Sequence, residues 1–294
     1  MFKGSIVALI TPFKNDRLDE ANYIKLINYH LDNGTHGMVP GGTTGESPTL
    51  SHQEHKNIIN LSVKECKSKI PVIAGTGSNS TSEAVELSKF ADKAGADGLL
   101  IVTPYYNKPT QEGLYQHYKK INDNVGIPII IYNIPSRSVI DMTVETMARL
   151  FELKNIVGVK DATGDLNRAE KQLKVMGSEF IMLTGEDGNS LEFNKKGGSG
   201  CISVTANVAA KLCSEMQNAS LAKNNIELQK RAEEINKLLT PLNNALFIES
   251  NPSPVKYAAS LLDLSTDDVR LPLVKITDPT KFAVKKSLEY ANLI

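Results

Sequence analysis

Ile156-Val157-Gly158-Val159-Lys160-Asp161 is an apolar run that ends in an amine and a carboxylate. Its apolar residues do not alternate with polar ones, which suits a strand buried on both faces of a parallel sheet. Runs of the same kind recur along the chain. They are Ser5–Ile10, Gly37–Val39, Val72–Ala74, Gly98–Val102, Ile129–Tyr132, Phe180–Leu183 and Gly200–Val204, which with Ile156–Val159 makes eight. Each ends in a Gly, Pro or polar cluster, and a stretch of about helix length follows. Ser51-His52-Gln53-Glu54 and Ser80-Thr81-Ser82-Glu83 both match the capping box of a helix start. Pro71 and Pro128 sit just before strands, where a missing N–H is tolerated. Eight βα units in succession predict a closed (β/α)8 TIM barrel, an α/β fold. An open doubly wound sheet is the alternative, although no G-x-G-x-x-G follows the first run. After Val208 the strand pattern stops, and Leu221–Leu239, Val255–Leu262 and Lys281–Tyr290 read as helices. The expected division is a catalytic barrel over 1–222 and a C-terminal helical appendage over 223–294.

A chain of 294 residues is long enough for one such barrel. Lys plus Arg is 33 and Asp plus Glu is 33, so the formal charge is 33 − 33 = 0. A nucleic-acid partner usually demands a basic excess, and none is present. Cys66, Cys201 and Cys213 are far apart and form no CxxC pair, so they read as small buried hydrophobes in a reducing compartment. The apolar run Ile6–Ile10 is too short for a signal-peptide core, and no later run approaches a membrane span. The expected location is the cytoplasm.

In a barrel of this kind the active site lies at the C-terminal ends of the strands. The polar groups there are Pro40-Gly41-Gly42-Thr43-Thr44-Gly45-Glu46, Thr103-Pro104-Tyr105-Tyr106-Asn107, Tyr132-Asn133 with Pro135-Ser136-Arg137, Lys160-Asp161, and Thr184-Gly185-Glu186. A lysine at a strand end is partly desolvated, which disfavours its ammonium form, and a neutral amine can attack a ketone to form a Schiff base. The plain alternative is a lysine that snorkels to solvent or pairs with Asp161. Tyr132 can relay protons beside such an amine, or it is a rim tyrosine with a satisfied hydroxyl. The Gly41–Gly45 turn can offer backbone N–H groups to a carboxylate, or it is only a tight turn. Arg137 can grip a second carboxylate bidentately. His52 and His55 are three apart at a helix start, but no further ligand accompanies them, so no metal is expected.

Gly42-Thr43-Thr44-Gly45-Glu46, Tyr132-Asn133-Ile134-Pro135-Ser136-Arg137 and Gly158-Val159-Lys160-Asp161-Ala162-Thr163-Gly164 together resemble the dihydrodipicolinate synthase family of pyruvate-dependent class I aldolases. Thr103–Asn107, Gly200–Val208 and Asn251-Pro252-Ser253-Pro254-Val255-Lys256 extend the resemblance nearly end to end. It implies that Lys160 forms an imine with pyruvate, that Tyr132 donates and accepts protons, and that Thr43 and Tyr106 complete a relay. In the family that second tyrosine comes from the neighbouring subunit. Thr44 and the backbone around Ile202 would hold the pyruvate carboxylate, with Gly185 in the pocket wall. Arg137 would bind the carboxylate of L-aspartate 4-semialdehyde. No external cofactor is implied.

The same resemblance implies an L-lysine site built from Ser47, Pro48, His52, His55, Asn79, Glu83 and Tyr105, and a homotetramer arranged as a dimer of dimers. Two positions depart from the family pattern. Pro48 stands where Ala is frequent, and Val139 where Gly is frequent. A β-branched residue resists φ > 0, so the Arg137 loop is expected to sit differently if that conformation is required. Three other functions remain open. One is a related aldolase acting on a sugar acid or hydroxy-keto acid, which would have less use for Arg137. Another is an aldolase for phosphorylated sugars, and the last a barrel that only binds.

Overall fold

The computed structural model describes residues 2–294. Eight parallel strands are β1 (Gly4–Ala8), β2 (Gly37–Val39), β3 (Ile73–Gly75), β4 (Gly98–Val102), β5 (Ile129–Asn133), β6 (Ile156–Asp161), β7 (Ile181–Thr184) and β8 (Gly200–Ser203). Around the sheet they run β2-β1-β8-β7-β6-β5-β4-β3. The two remaining edges meet through a parallel bridge between Met38 and Val72. There Met38 N–H donates to Pro71 O at 3.0 Å and Gly75 N–H to Pro40 O at 2.9 Å. The sheet closes on itself, which excludes the doubly wound alternative.

Alternation along each strand sorts the side chains into two layers. Ile6, Ala8, Val39, Ile73, Leu100, Ile130, Leu183 and Ile202 share one cluster that fills the barrel. Leu99, Ile101, Ile129, Ile131 and Val159 pack in another, against the outer helices. Those helices are α1 (Glu20–Asp32), α2 (His52–Cys66), α3 (Thr81–Ala94), α4 (Gln111–Asn122), α5 (Val144–Phe151), α6 (Leu166–Met176), α7 (Ser190–Lys195) and α8 (Ala206–Leu221). All three cysteines are free and buried. Among the described residues, no helix is long and apolar enough to cross a membrane.

Ser51 caps α2 as expected, its Oγ accepting from Glu54 N–H at 3.2 Å while its own N–H donates to Glu54 Oε2 at 2.9 Å. The second capping box does not form. Ser80 precedes α3 without a side-chain cap: its Oγ pairs with Ser82 Oγ at 3.0 Å and its N–H donates to Ser78 Oγ at 3.0 Å, while Glu83 turns to the Ser78 hydroxyl and to His52. The helix expected over Leu221–Leu239 is also two. α8 ends at Leu221, and α9 (Ile226–Ala245) restarts where Asn225 Oδ1 accepts from Leu228 N–H at 3.1 Å.

α10 (Ser253–Leu261) and α11 (Asp278–Tyr290) complete the chain. Leu239, Leu242, Val255, Ala258 and Val284 lie in the same apolar cluster as Val7, Leu9 and Tyr23. The C-terminal helices therefore share a core with the first barrel units.

Arg270 ties this region to α2. Its guanidinium forks onto Glu54 at 2.8 and 2.6 Å, reaches Asp16 at 3.0 Å and lies 4.2 Å over the Phe13 ring. The Arg270 guanidinium holds the Glu54 carboxyl down to about 2, from an ordinary 4.5. The folded value lies below the unfolded one. The pair's contribution is thus present above about pH 4.5 and lost as pH falls toward 2. Arg270→Met is expected to lower the melting temperature at neutral pH and to flatten its decline through that acid window. Melting curves at stepped pH check this, and an unchanged acid limb contradicts it.

Candidate active site

Parallel register sets Lys160 of β6 beside Tyr132 of β5. Both are only 6% exposed, and Lys160 Nζ lies 4.1 Å from the centroid of the Tyr132 ring. Snorkelling is thereby excluded for Lys160. Pairing with Asp161 is excluded as well, because the next residue along a strand faces the other way. Asp161 accepts from Thr163 N–H at 2.9 Å, from Thr163 Oγ1 at 2.6 Å and from Gln172 Nε2 at 2.9 Å, and it meets Arg168 Nε at 3.1 Å. It belongs to the helical layer. Lys160 belongs to the barrel mouth.

Gly185, just past β7, makes room for that lysine. A Cβ there would stand 2.9 Å from Lys160 Cε and 2.8 Å from Ala162 Cβ. The following residue, Glu186, is half-buried. Burial pushes its carboxyl up, and nearby Lys160 opposes that shift. Ile202 on β8 is fully buried in the barrel.

The glycine-rich turn after β2 carries Thr43, half-buried, and Thr44, buried. Thr44 Oγ1 accepts from Asn251 Nδ2 at 3.0 Å. The Asn251 backbone carbonyl accepts from Arg137 at 3.4 Å. Arg137, Ser250 and Asn251 line a cleft of about 580 Å³. Asn251 thus joins two candidate anchors; in the sequence it stands only in the Asn251–Lys256 motif, with no role implied for it, 207 positions from Thr44.

Tyr106 stands apart. It is 89% exposed, with φ +73, on the loop after β4. Its ring lies in solvent, so a single chain does not bring it against the buried Tyr132.

The Arg137 loop is a helical turn, Pro135–Ser138, closed by Val139 N–H donating to Pro135 O at 2.9 Å. Val139 adopts φ +68. The backbone keeps the conformation that suits glycine, and the β-branched residue bears the strain. Val139 is 65% exposed, so little packing opposes its removal. Val139→Gly is expected to raise stability by roughly 1 kcal/mol. Denaturant unfolding checks this, and a loss of stability contradicts it.

Hydrogen bonds join some of the residues expected to form an effector site. His52 Nε2 meets Glu83 Oε1 at 2.7 Å, and the Ser78 hydroxyl also bonds Glu83. Ser78 first and His52 next hold the Glu83 carboxyl below its ordinary value. Asn107 Nδ2 donates to Asn79 O at 2.8 Å, linking the Tyr105 loop to the same cluster. Ser47 and Pro48 form the short turn that leads into α2. His55 is buried, with Nε2 donating to Gly75 O at 2.7 Å. Burial lowers its pKa. Among the described residues, no three His, Cys, Asp or Glu side chains converge as metal ligands.

Comparison with known proteins assigns the chain to a family. Residues 1–291 match the model of the dihydrodipicolinate synthetase family. A protein of Pelagibacter ubique named 4-hydroxy-tetrahydrodipicolinate synthase is 68% identical over 294 residues, covering all of both chains. A dihydrodipicolinate synthase from Acinetobacter baumannii complexed with pyruvate superposes with a TM-score of 0.96. It is 43% identical, and the match covers all of both chains. A homologue from Cyanidioschyzon merolae with lysine bound gives a TM-score of 0.95 at 34% identity, over 100% of this chain and 99% of that one. A barrel that buries one lysine against a tyrosine, matched in sequence and shape over its whole length, belongs to the dihydrodipicolinate synthase family of lyases.

Proposed function

We propose that this enzyme condenses pyruvate with L-aspartate 4-semialdehyde through a Schiff base at Lys160, giving 4-hydroxy-tetrahydrodipicolinate. The observation that carries the reading is Lys160, buried at a strand end against the Tyr132 ring, with Gly185 leaving space beside its stem. The Lys160 amine attacks the pyruvate ketone, and water leaves as the imine forms. Loss of a methyl proton gives the enamine, whose carbon attacks the aldehyde of the second substrate. The new aldehyde-derived oxygen takes up a proton. The semialdehyde's own amine then attacks the imine carbon, closing the ring and releasing Lys160. Tyr132 moves the protons. Thr43 and Tyr106 complete the relay across a subunit interface. The 89% exposure of Tyr106 supports a partner at that position.

Thr44 and the Ile202 backbone hold the pyruvate carboxylate, with Gly185 in the wall. Arg137, open to the cleft, holds the carboxylate of the acceptor. Orientation of both substrates in one pocket replaces a bimolecular encounter. The reaction needs no cofactor beyond the Lys160 amine. The enzyme works as a homotetramer in the cytoplasm, with the barrel over 1–222 carrying the catalytic lysine. The names of its relatives support the condensation reaction.

Pyruvate consumption by the purified protein tests it, with L-aspartate 4-semialdehyde in one tube and N-acetylmannosamine in a parallel one. Turnover with the semialdehyde alone is expected. Turnover with only the sugar would keep Lys160 in its role and overturn the substrate assignment.

L-Lysine is the inhibitor, bound at the rim formed by Ser47, Pro48, His52, His55, Asn79, Glu83 and Tyr105. The Glu83 carboxylate offers a counter-charge to an amine, and a structural homologue has lysine bound. A dose–response with L-lysine is expected to show saturable inhibition that Glu83→Gln weakens. A flat response removes the site.

A further inference from the structure

A buried ion pair stands directly beneath the glycine-rich turn. Lys256 Nζ on α10 meets Glu46 Oε1 at 2.6 Å, and both side chains are 0% exposed. The partners are 210 positions apart. Lys256 also donates to Thr11 O at 2.9 Å and lies 4.3 Å over the Phe13 ring. The other Glu46 oxygen accepts from Arg270 N–H at 3.0 Å. Thr11 Oγ1 in turn donates to Gly45 O at 2.7 Å. Three separated parts of the chain therefore converge on Gly45 and Glu46: the segment after β1, helix α10, and the stretch before α11.

Stability alone is a poor explanation for this arrangement. Two charges removed from water cost about as much as their attraction returns, and well-packed apolar residues often do as well or better. What an ion pair adds is direction. Glu46 is held at φ +56, a conformation that non-glycine residues rarely adopt. The strain persists only where the surroundings over-determine it. Thr43 and Thr44 lie three and two residues upstream, in a turn closed by Glu46 N–H donating to Thr43 O at 3.1 Å.

We propose that Glu46 and Lys256 are positioning residues, whose buried pair clamps the Gly41–Glu46 turn so that Thr43 and Thr44 meet the keto acid in one fixed orientation. The inference rests on the functional reading above for the role of the two threonines. It makes the C-terminal helical region a working part of the site.

Single variants do not separate positioning from folding, because Lys256→Met leaves a lone buried carboxylate. The informative protein is the double variant Glu46→Leu with Lys256→Met, which carries no buried charge. It is expected to fold with a melting temperature several degrees lower, since Arg270 N–H and Thr11 O lose their partners. Its rate of borohydride-trapped pyruvate capture is expected to fall at least about tenfold, since a displacement near 1 Å can cost about a hundredfold. The effect should fall on the pyruvate kcat/KM and leave the KM of the acceptor nearly unchanged. Hydrogen exchange of the Gly41–Glu46 amides should rise about tenfold in the same variant.

Wild-type capture and wild-type exchange in the folded double variant would overturn the proposal. If the double variant does not fold, the wild type decides. Exchange of the Gly45 and Glu46 amides as slow as that of the barrel strands supports the clamp, and exchange at loop rates overturns it. A wild type that captures no pyruvate would overturn the functional reading, and the exchange measurements would still decide the clamp.

Discussion

Lys160→Met is expected to abolish condensation, lowering kcat by about a thousandfold or more, as loss of a covalent nucleophile does elsewhere. Methionine nearly matches the volume of the lysine stem and brings no charge. The 6% exposure of Lys160 means that the substitution removes a buried polar group, so melting should stay level or rise. Loss of turnover in a folded protein isolates the amine. Lys160→Arg should fail equally, because a guanidinium stays protonated and cannot form the imine. Steady-state kinetics alongside thermal melting check both. A variant that keeps more than about a tenth of wild-type turnover contradicts the account.

Gly185→Ala is the second large effect. The added methyl would stand 2.9 Å from Lys160 Cε and 2.8 Å from Ala162 Cβ. The lysine stem is the flexible neighbour, so it gives way before the backbone does. Displacement of a nucleophile by about 1 Å can cost about a hundredfold in rate. The overpacking itself costs about 1–3 kcal/mol of stability. The loss should appear in pyruvate capture, before the acceptor is added. Stopped-flow capture with and without the semialdehyde checks this. Normal capture with slow condensation would contradict it, because Gly185 would then face the second substrate.

The strands were legible because parallel strands bury both faces, so their apolar runs stand out against polar helix surfaces. Lys160 and Tyr132 were legible for the same reason, as polar residues that end such runs. The orientation of Asp161 follows from alternation alone, which sends it outward to Arg168 and Gln172. The false capping box had no local sign of error. Glu83 abandons Ser80 for His52 and Ser78, one of them 31 positions upstream. The same holds for Asn251 on Thr44 and Lys256 on Glu46, contacts that only the closed barrel and its C-terminal helices create. Val139 shows the reverse case. Its sequence signalled conflict with φ > 0, and the fold imposes φ +68 regardless.

In the proposed chemistry pyruvate becomes bound to Lys160. Borohydride reduction of the wild-type protein with pyruvate, followed by peptide mass spectrometry, tests it most directly. A reduced pyruvate adduct is expected on the peptide carrying Lys160, and none on that peptide in Lys160→Met. An adduct confined to another lysine, or no adduct at all, would contradict it.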